Sequence, residues 1–393
     1  MIREEPTSLM PRKKVTFIIN SLAGGGAERV MCTLLRASET ERNEVDISLI
    51  LLDRESAAYH VPSWVKVEQL DCRHSLLRSI WSLYAMLRRS RPDATLSFLT
   101  RANVANVIAT GLLGIPAIIS ERVNTTSHLG KGRAAALAKF LVKWLYPKAR
   151  RIIAVSPGVA DDLKTAFGVP QDKLVVISNP IDIDDIRARS QETESVAPAG
   201  EFGMAMGRLV PNKNFGMLID AFAAAKIDGQ LLILGDGPER AALTAQIDRL
   251  GLTDRVMLPG FSANPFATLR KAAYFTLPSN AEGFPNSLLE AMSVGVPVIS
   301  TNCQSGPSEV LADLAREDVA SGVVFAENGI LIPPNDTIAM KDALRAMSEP
   351  ERRAAYGLKA AARAAEFSVE RAKLAYWKVI LPECGQSEVG FAR

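Results

Sequence analysis

Two glutamates separated by seven residues, Glu282 and Glu290, bracket the segment of the chain that is best suited to chemistry. An apolar run at residues 273–277 predicts a buried parallel strand before them, and the apolar spacing of residues 288–294 predicts a helix after them. One carboxylate would then lie in the turn beside a bound substrate. The other, about one helical turn further on, would reach hydroxyl groups deeper in a cleft. The alternative is an ordinary βα turn that carries acidic residues.

The turn between these glutamates also has the features of an anion site. Gly283 allows the backbone to approach a ligand closely, and Pro285 sets the angle at which the helix begins. Three N–H groups at the helix N-terminus are expected to face the anion, those of Asn286, Ser287 and Leu288. The predicted chemistry is therefore the binding of a negatively charged group between two carboxylates.

Two cations follow another predicted strand, at residues 202–206. Arg208 comes directly after Gly207, and Lys213 precedes a predicted amphipathic helix at residues 215–226. Cations on a loop at the end of a strand are well placed to hold a diphosphate. The alternative is a pair of exposed charges on a solvated loop.

Three consecutive glycines, Gly24 to Gly26, follow the first predicted strand at residues 15–20 and form a candidate phosphate loop. The match to a dinucleotide-binding fingerprint is weak, because Arg29 stands where the third glycine belongs and Asp53, which closes the next strand, comes late. A flexible βα turn remains the alternative.

Predicted strands and amphipathic helices alternate along the chain, which indicates an α/β protein with parallel sheets covered on both faces. Further strands are predicted at residues 46–52, 65–70, 94–98, 117–120, 152–155, 174–177, 231–234, 256–261, 298–300 and 329–332. Late helices are predicted at residues 338–347 and 352–365. A connector at residues 179–182 and a polar stretch at residues 190–200 divide the chain into two Rossmann-like domains, which we place at residues 1–185 and 200–366.

Ligands of such sheets gather at the carboxyl ends of the strands. In the first domain, five polar residues are expected there and are candidates for contact with a second substrate: Arg101, Asn103, Glu121, Arg122 and Asn124. The three histidines, His60, His74 and His128, have no partner pattern and are interpreted as surface or packing residues.

Composition excludes several classes of protein. With 393 residues, 48% hydrophobic and 23% charged, the chain is long enough for two folded domains and is not of the disordered class. We expect no secretory signal and no membrane-spanning segment. The four cysteines, Cys32, Cys72, Cys303 and Cys384, have no paired spacing, which favours reduced thiols in the cytoplasm over disulfides or zinc. Asp182 and Asp184 lie in the connector, so we do not interpret them as metal ligands.

The whole string from Glu282 to Glu290 resembles the donor-site signature of the large GT-B family of retaining glycosyltransferases, family 4 or group 1, which includes many bacterial polysaccharide glycosyltransferases. The glycine-rich loop and the segment Gly207-Arg208-Leu209 with Asn212-Lys213 resemble the same family. The resemblance implies a nucleotide-sugar donor bound by the second domain and an acceptor bound by the first. It also implies that residues 367–393 form a helix that crosses back to the first domain.

The resemblance implies roles for particular residues. Arg208 and Lys213 would hold the donor diphosphate, Glu282 would orient or stabilise the donor sugar, and Glu290 would accept hydrogen bonds from the ribose. The remaining donor-binding residues would be Gly25, Gly26, Gly207, Pro259, Gly260, Phe261, Gly283, Phe284, Asn286, Ser287 and Leu288. In many relatives a histidine stands near residues 120–122, and this chain has Ser-Glu-Arg there instead.

These features predict transfer of a sugar, most simply from a UDP-sugar, to a polysaccharide or lipid-linked acceptor with retention of configuration. We expect no cofactor and no metal requirement, because the cations already supply positive charge. Alternatives are a GT-B sugar-nucleotide epimerase and an inactive nucleotide-sugar-binding or assembly protein. A phosphorylase is disfavoured, because no pyridoxal-binding lysine motif is found.

The charge of the chain is divided unequally. Residues 1–180 contain 25 Lys and Arg against 16 Asp and Glu, and the remainder contains 21 against 27. No aromatic-basic nucleic-acid module accompanies the basic half, so we expect an anionic membrane on the inner face rather than nucleic acid. Acidic residues are absent from residues 123–158, where an amphipathic helix would have one apolar side formed by Ala134, Leu137, Leu141, Trp144 and Leu145. Lys139 and Lys143 would lie opposite, and a second basic amphipathic segment covers residues 73–91. The alternative is a core-packed helix with a solvated basic face, and attachment to a membrane would then be mainly electrostatic.

Overall fold

A computed structural model describes residues 12–130, 132–193 and 195–384. The side chains of His128, Arg133 and Ala134 lie outside the described part, as do Lys131 and both ends of the chain.

The first domain is built on a seven-stranded sheet with the order β3-β2-β1-β4-β5-β6-β7, in which every pairing is parallel. Its strands are β1 (Lys13–Ile19), β2 (Val45–Leu51), β3 (Lys66–Gln69), β4 (Ala94–Phe98), β5 (Ala117–Glu121), β6 (Arg151–Ala154) and β7 (Leu174–Val176). All seven lie where apolar runs predicted strands. The inner strands β4 and β5 are buried along their whole length, as strands of a parallel sheet covered on both faces are, whereas the edge strand β3 is mostly exposed.

Helices cover both faces of this sheet. They are α1 (Gly26–Ala37), α2 (Leu76–Ser90), α3 (Thr100–Gly111), α4 (Thr125–Leu129), α5 (Arg133–Leu145), α6 (Pro157–Phe167) and α7 (Ile183–Ser190). Local sequence explains their ends. The side chain of Ser156, for example, accepts a hydrogen bond from the N–H of Val159, and Pro157 occupies the first turn of α6.

The second domain repeats this architecture with the strand order β10-β9-β8-β11-β12-β14-β13. Its strands are β8 (Phe202–Met206), β9 (Gln230–Leu234), β10 (Val256–Gly260), β11 (Tyr274–Leu277), β12 (Val298–Thr301), β13 (Val324–Ala326) and β14 (Gly329–Ile332). Sequence patterns missed β13, which pairs antiparallel with β14 at the edge of the sheet. Its three residues are only partly buried or exposed, so no apolar run marks it.

The helices of this half of the sequence include those predicted at residues 215–226, 288–294, 338–347 and 352–365. They are α8 (Phe215–Ala225), α9 (Arg240–Arg249), α10 (Phe266–Leu269), α11 (Asn286–Ser293), α12 (Pro307–Leu311), α13 (Thr337–Ala346), α14 (Pro350–Ala364) and α15 (Val369–Glu383). Together the two sheets give the two-domain, Rossmann-like GT-B fold that we predicted.

The last helix, α15, packs on the first domain. Tyr376, Trp377 and Ile380 are buried in the same apolar cluster as Phe17 of β1. The indole N–H of Trp377 donates to Ser38 Oγ at 2.9 Å. The chain therefore crosses between the domains twice, after β7 and before α15.

In each sheet the strand order reverses beside the first strand, between β1 and β4 in one domain and between β8 and β11 in the other. Chain segments leave the carboxyl ends of neighbouring strands in opposite directions at such a point, which opens a crevice. The glycine loop follows β1, the two cations follow β8, and Glu282 follows β11. The topology thus places the glycine loop at one crevice and the two cations and Glu282 at the other.

Helix α5 does not bury its whole predicted apolar side, so the core-packed alternative is wrong for part of it. Leu137 and Trp144 of that side are exposed together with Phe140, by 61%, 58% and 62% of their surface. Val142 and Leu145 are buried instead. The apolar residues extend around most of this helix, so the spacing alone did not identify the buried side. Among the described residues, no helix is both long and apolar enough to cross a bilayer.

Candidate active site

A cavity of about 770 Å³ lies between the two domains. It is lined by most of the residues predicted to bind a donor, namely Gly25, Gly26, Gly207, Arg208, Lys213, Phe261, Glu282, Gly283, Phe284, Asn286, Ser287 and Glu290. A second cavity, of about 670 Å³ beside β1, β2 and β3, contains none of them. The interdomain cavity is therefore the candidate active site.

Lys213 and Glu282 form an ion pair in this cavity, with Lys213 Nζ 2.5 Å from Glu282 Oε1. Only 22% and 12% of the two side chains are exposed, so the pair is shielded from bulk water. Two hydrogen bonds connect the loops that carry them: the Asn280 N–H donates to the Asn212 carbonyl, and the Asn212 side chain donates to the Ala281 carbonyl, both at 2.8 Å. The loops after β8 and β11 thus form one unit that holds a cation beside a carboxylate.

Arg208 lines the same cavity and is exposed, with no ion-pair partner among the described residues. Its loop rests on the turn after β9, where a Cβ at Gly235 would overlap the carbonyl oxygen of Gly207. Gly235 also has φ +139°, a conformation that favours glycine. Sequence patterns identified this turn only as a connection, yet it supports the loop that carries Arg208.

Glu290 is held by a residue that sequence reasoning did not assign to the site. Arg29, on the first turn of α1, forms an ion pair with the Glu290 carboxylate across the cleft. The Glu290 carboxylate raises the pKa of Arg29, and this effect is larger than the opposing effect of burial. The two residues are 261 positions apart and belong to different domains, so no spacing in the sequence could indicate their pairing.

Two amides of the glycine loop are bonded to a side chain of the helix that follows it, α1. The N–H groups of Gly24 and Gly25 both donate to the carboxylate of Glu28, the first of them at 2.7 Å. We expected this loop to be a candidate phosphate loop. In this structure a side-chain carboxylate takes the place of the anion, as a capping residue does at a helix N-terminus.

The turn before α11 also differs from prediction. The N–H groups of Asn286 and Leu288 donate to the carbonyls of Phe284 and Pro285 at 3.0 Å, so two of the three amides expected to face an anion are used inside the turn. Leu288 is fully buried and does not line the cavity. The local turn closes before the helix begins, which satisfies these donors within the backbone.

Gly283 allows the backbone of the first domain to come close, whereas we predicted a close approach to a ligand. A Cβ at this position would overlap the carbonyl oxygen of Arg122 and lie 2.6 Å from Cα of Val123, both just beyond β5 of the first domain. Beside this contact, the Asn179 side chain donates to Asn286 Oδ1 at 2.7 Å. The glycine therefore permits the two domains to meet, in addition to lining the cavity.

The acceptor-side candidates Asn103 and Glu121 lie in the interior of the first domain rather than in the cavity. Both are completely buried. The Tyr146 hydroxyl donates to Glu121 Oε2 at 2.5 Å, and the Asn103 side chain donates to the Ser120 carbonyl at 2.9 Å. Burial raises the pKa of Glu121. These side chains connect β5 to the helices that cover it.

The other acceptor-side candidates also have partners within the domain. Arg101 is paired with Asp53, and the side chain of Asn124 accepts from the Ser127 N–H at 3.0 Å and so caps α4. Arg122 is buried but borders the cavity, and it donates to Asn179 and to the Tyr376 hydroxyl of α15. Of these five residues, Arg122 is the one that the structure brings to the cleft.

At the end of β10, only one of the three residues predicted to bind the donor reaches the cavity. Phe261 lines the cavity and is 82% exposed, whereas Pro259 and Gly260 are not part of the lining. Gly260 is used within the sheet, where its carbonyl accepts from the Gly235 N–H at 2.8 Å.

Sequence reasoning also missed cavity residues that carry no motif. They include Leu99, Val123, Asn179, Asp236, Ser262 and Pro265. Among the described residues, no three His, Cys, Asp or Glu side chains converge in a way that could hold a metal ion. Asp182 instead caps α7 by accepting from the Asp185 N–H at 3.2 Å.

Comparison with known proteins links this geometry to a family. Residues 24–185 match the family model described as Glycosyltransferase Family 4, and residues 203–349 match the model described as Glycosyl transferases group 1. The chain is 30% identical over 368 residues to a Campylobacter jejuni N-acetylgalactosamine-N,N'-diacetylbacillosaminyl-diphospho-undecaprenol 4-alpha-N-acetylgalactosaminyltransferase, which covers 90% of this chain and 96% of that protein.

A second C. jejuni protein is 28% identical over 353 residues, covering 86% of this chain and 89% of the relative. It is a GalNAc-alpha-(1->4)-GalNAc-alpha-(1->3)-diNAcBac-PP-undecaprenol alpha-1,4-N-acetyl-D-galactosaminyltransferase. Among solved structures, HepE of Anabaena in complex with UDP superposes with a TM-score of 0.71 at 21% identity, covering 93% of this chain and 99% of that one. This likeness supports the GT-B fold.

Proposed function

The chain belongs to the group 1, family 4 glycosyltransferases of GT-B fold, and from that membership we propose that it transfers a sugar from a UDP-sugar to a lipid-linked oligosaccharide. The observation that carries the proposal is the set of charges in one interdomain cavity. Arg208, the Lys213–Glu282 pair and Glu290 all line it. A binding protein without catalysis would not need this complete set.

The charges suit the electrostatics of glycosyl transfer. Breaking the anomeric C–O bond places negative charge on the leaving diphosphate and positive charge on the sugar. Arg208 and Lys213 would stabilise the first, and Glu282, already beside Lys213, would stabilise the second. A preorganised pair with little exposure favours this arrangement, because its groups need not reorient from water during the reaction.

The donor and its binding mode follow from the cavity and from the relatives. HepE was crystallised with UDP, and we propose a UDP-sugar for this chain as well. Phe261 offers an exposed aromatic ring at the cavity rim for the base, and Glu290 is placed to accept from ribose hydroxyls. We further propose a hexosyl or N-acetylhexosaminyl group and retention of its anomeric configuration, as the family resemblance implies.

The acceptor proposal rests on the two C. jejuni relatives, both named for undecaprenol-linked diphospho-sugars. Such an acceptor is anchored in a bilayer, so we also propose peripheral binding to the inner face of the cytoplasmic membrane. The exposed face of α5 supports this. Leu137, Phe140 and Trp144, hereafter the apolar stripe, follow the spacing of one helix face, and Lys148 Nζ lies 3.1 Å from the centre of the Trp144 ring.

Basic residues border the apolar stripe. Lys143 is exposed on the same helix, and α2 presents Leu77 and Trp81 with 70% and 67% of their surface exposed. Helix α3 packs against both α2 and α5. Apolar insertion combined with basic attraction is the usual basis of binding to an anionic interface.

The proposed function is tested by a panel of nucleotide sugars. We expect UDP-sugars to raise the melting temperature of the protein, and the best of them to be hydrolysed slowly without an acceptor. Addition of a GalNAc-diNAcBac-type undecaprenyl diphosphate should then yield a product one sugar longer, with release of UDP. A protein that binds a nucleotide sugar but releases no UDP with any acceptor would contradict the enzymatic proposal.

A further inference from the structure

Arg29 brings a positive charge from the first domain into the donor cleft. Its guanidinium lines the interdomain cavity and is paired with Glu290 of the second domain. About 38% of the Arg29 side chain is exposed, against 6% for Glu290. The carboxylate is therefore held in place inside the protein, whereas the guanidinium lies at the border of the cavity on a long side chain.

This pair conflicts with the proposed use of Glu290. If Glu290 accepts hydrogen bonds from the donor ribose, the donor must compete for the oxygens that Arg29 now occupies. A nearly buried carboxylate is unfavourable without a partner, so Arg29 and the ribose are alternative partners for the same group. Binding of the donor then leaves the Arg29 guanidinium in need of an anion.

The donor itself supplies that anion. The cavity that contains Arg29 also contains Arg208 and Lys213, the cations proposed to hold the diphosphate. Arg29 lies one turn after the glycine loop, whose Gly24 and Gly25 amides are already bonded to Glu28. Once the ribose has taken Glu290, the guanidinium on the long Arg29 side chain is available to a phosphate, whereas those two amides are not. Guanidinium groups bind phosphate oxygens through paired hydrogen bonds.

We propose that Arg29 is a donor-binding residue that exchanges partners: it neutralises Glu290 in the empty cleft and binds the donor diphosphate when the ribose takes Glu290. The assignment rests on the proposed function, since it requires a nucleoside diphosphate donor. It gives the first domain a direct contact with the donor. Closure of the cleft and recognition of the diphosphate are thereby coupled through one side chain.

The test compares UDP with uridine, which has the ribose but no phosphate. Binding of each is measured by isothermal titration calorimetry to the wild type and to Arg29→Met, a neutral side chain of similar length. The variant should bind UDP about tenfold more weakly, because one charge-assisted contact is lost. It should bind uridine more tightly than the wild type does, because the competitor for Glu290 is gone.

Two further variants sharpen the result. Arg29→Lys keeps the charge and should retain most of the UDP affinity. Arg36→Met removes a cation from the same helix, where Arg36 donates to Thr33 Oγ1 and does not line the interdomain cavity, and should change neither affinity.

A purely structural role for Arg29 would weaken UDP and uridine binding by the same factor, and that result would overturn the assignment. Unchanged affinity for both ligands in Arg29→Met would overturn it as well. A wild-type protein that binds neither ligand would overturn the proposed UDP donor, and this assignment with it.

Discussion

Polar residues near the strand ends have different surroundings in the two domains. In the second domain, Arg208, Lys213 and Glu282 lie in loops beyond β8 and β11 and reach the cavity. In the first domain, Glu121 is the last residue of β5 and Asn103 lies within α3, and both are enclosed. A side chain inside an element lies between sheet and helix, whereas a loop residue can turn toward the crevice. A position near a strand end therefore predicts that a residue lies close to the crevice. It does not predict whether the side chain points into it.

The largest expected effect comes from the loops of the second domain. Arg208→Ala and Lys213→Ala should each lower kcat/KM by about 10²-fold or more, as loss of one preorganised charge does. Steady-state kinetics with the best donor measures this. Lys271→Ala, which removes an exposed cation from the same domain, is the control and should behave as the wild type. Near-normal turnover of both site variants at low and high donor would refute the diphosphate role.

Gly283→Ala tests the contact between the second domain and the end of β5 in the first domain. The added methyl group overlaps the Arg122 carbonyl, so the closed arrangement should become less favourable by about 1–3 kcal/mol and activity should fall by roughly 10- to 100-fold. Small-angle scattering should show a larger radius of gyration. Gly111→Ala, where a Cβ has open space, is the matched control. An unchanged radius together with full activity would show that the domains need not meet here.

The apolar stripe of the first domain should act in membrane binding. The double variant Phe140→Ser, Trp144→Ser should co-sediment with anionic vesicles at least about tenfold more weakly, because burial of each large apolar side chain contributes about 1.5–3 kcal/mol when complete. Ile338→Ser with Leu358→Ser removes two equally exposed apolar residues from the second domain and should have no effect. Equal binding of all forms to anionic and zwitterionic vesicles would contradict the proposed surface.

Glu121, which is enclosed in the first domain, should affect the stability of the fold rather than activity. Burial raises the pKa of Glu121 above its ordinary value of 4.5, so the folded protein retains a proton that the unfolded chain releases. Stability from this group is complete below pH 4.5 and declines as pH rises toward the folded pKa. Glu121→Gln should remove that decline in thermal unfolding measured across pH, while kcat/KM stays within about threefold of the wild type. A loss of activity as large as that of Lys213→Ala would instead place Glu121 in the reaction.

The smallest effect is expected from metal removal. Arg208 and Lys213 already place two positive charges in the cavity, so EDTA should leave the initial rate unchanged. Assays in EDTA, with and without added Mg²⁺ or Mn²⁺, measure this. Complete loss of activity that Mn²⁺ restores would refute metal independence.

Local sequence was sufficient for most of the architecture. Thirteen predicted strands coincide with observed ones. For the inner strands the reason is that a buried parallel strand is a short apolar run, whose signal is contained in the run itself. The loops that we predict to bind the donor could be identified for a similar reason. The segment from Glu282 to Glu290 is contiguous, so its turn, its helix and its charges are determined together by neighbouring residues.

The pairings were decided only by the tertiary structure. Arg29 meets Glu290, Lys213 meets Glu282, and Gly283 meets the end of β5, each across a separation that no local pattern records. The buried side of α5 was likewise undecided, since apolar residues occur on several of its faces and the neighbouring helices determine which are covered. Residue types and short spacings therefore determined which groups the site contains. Tertiary packing, within the second domain for Lys213 and Glu282 and between the domains for Arg29 and Glu290, determined which of those groups face one another, because that depends on distances between segments far apart in the chain.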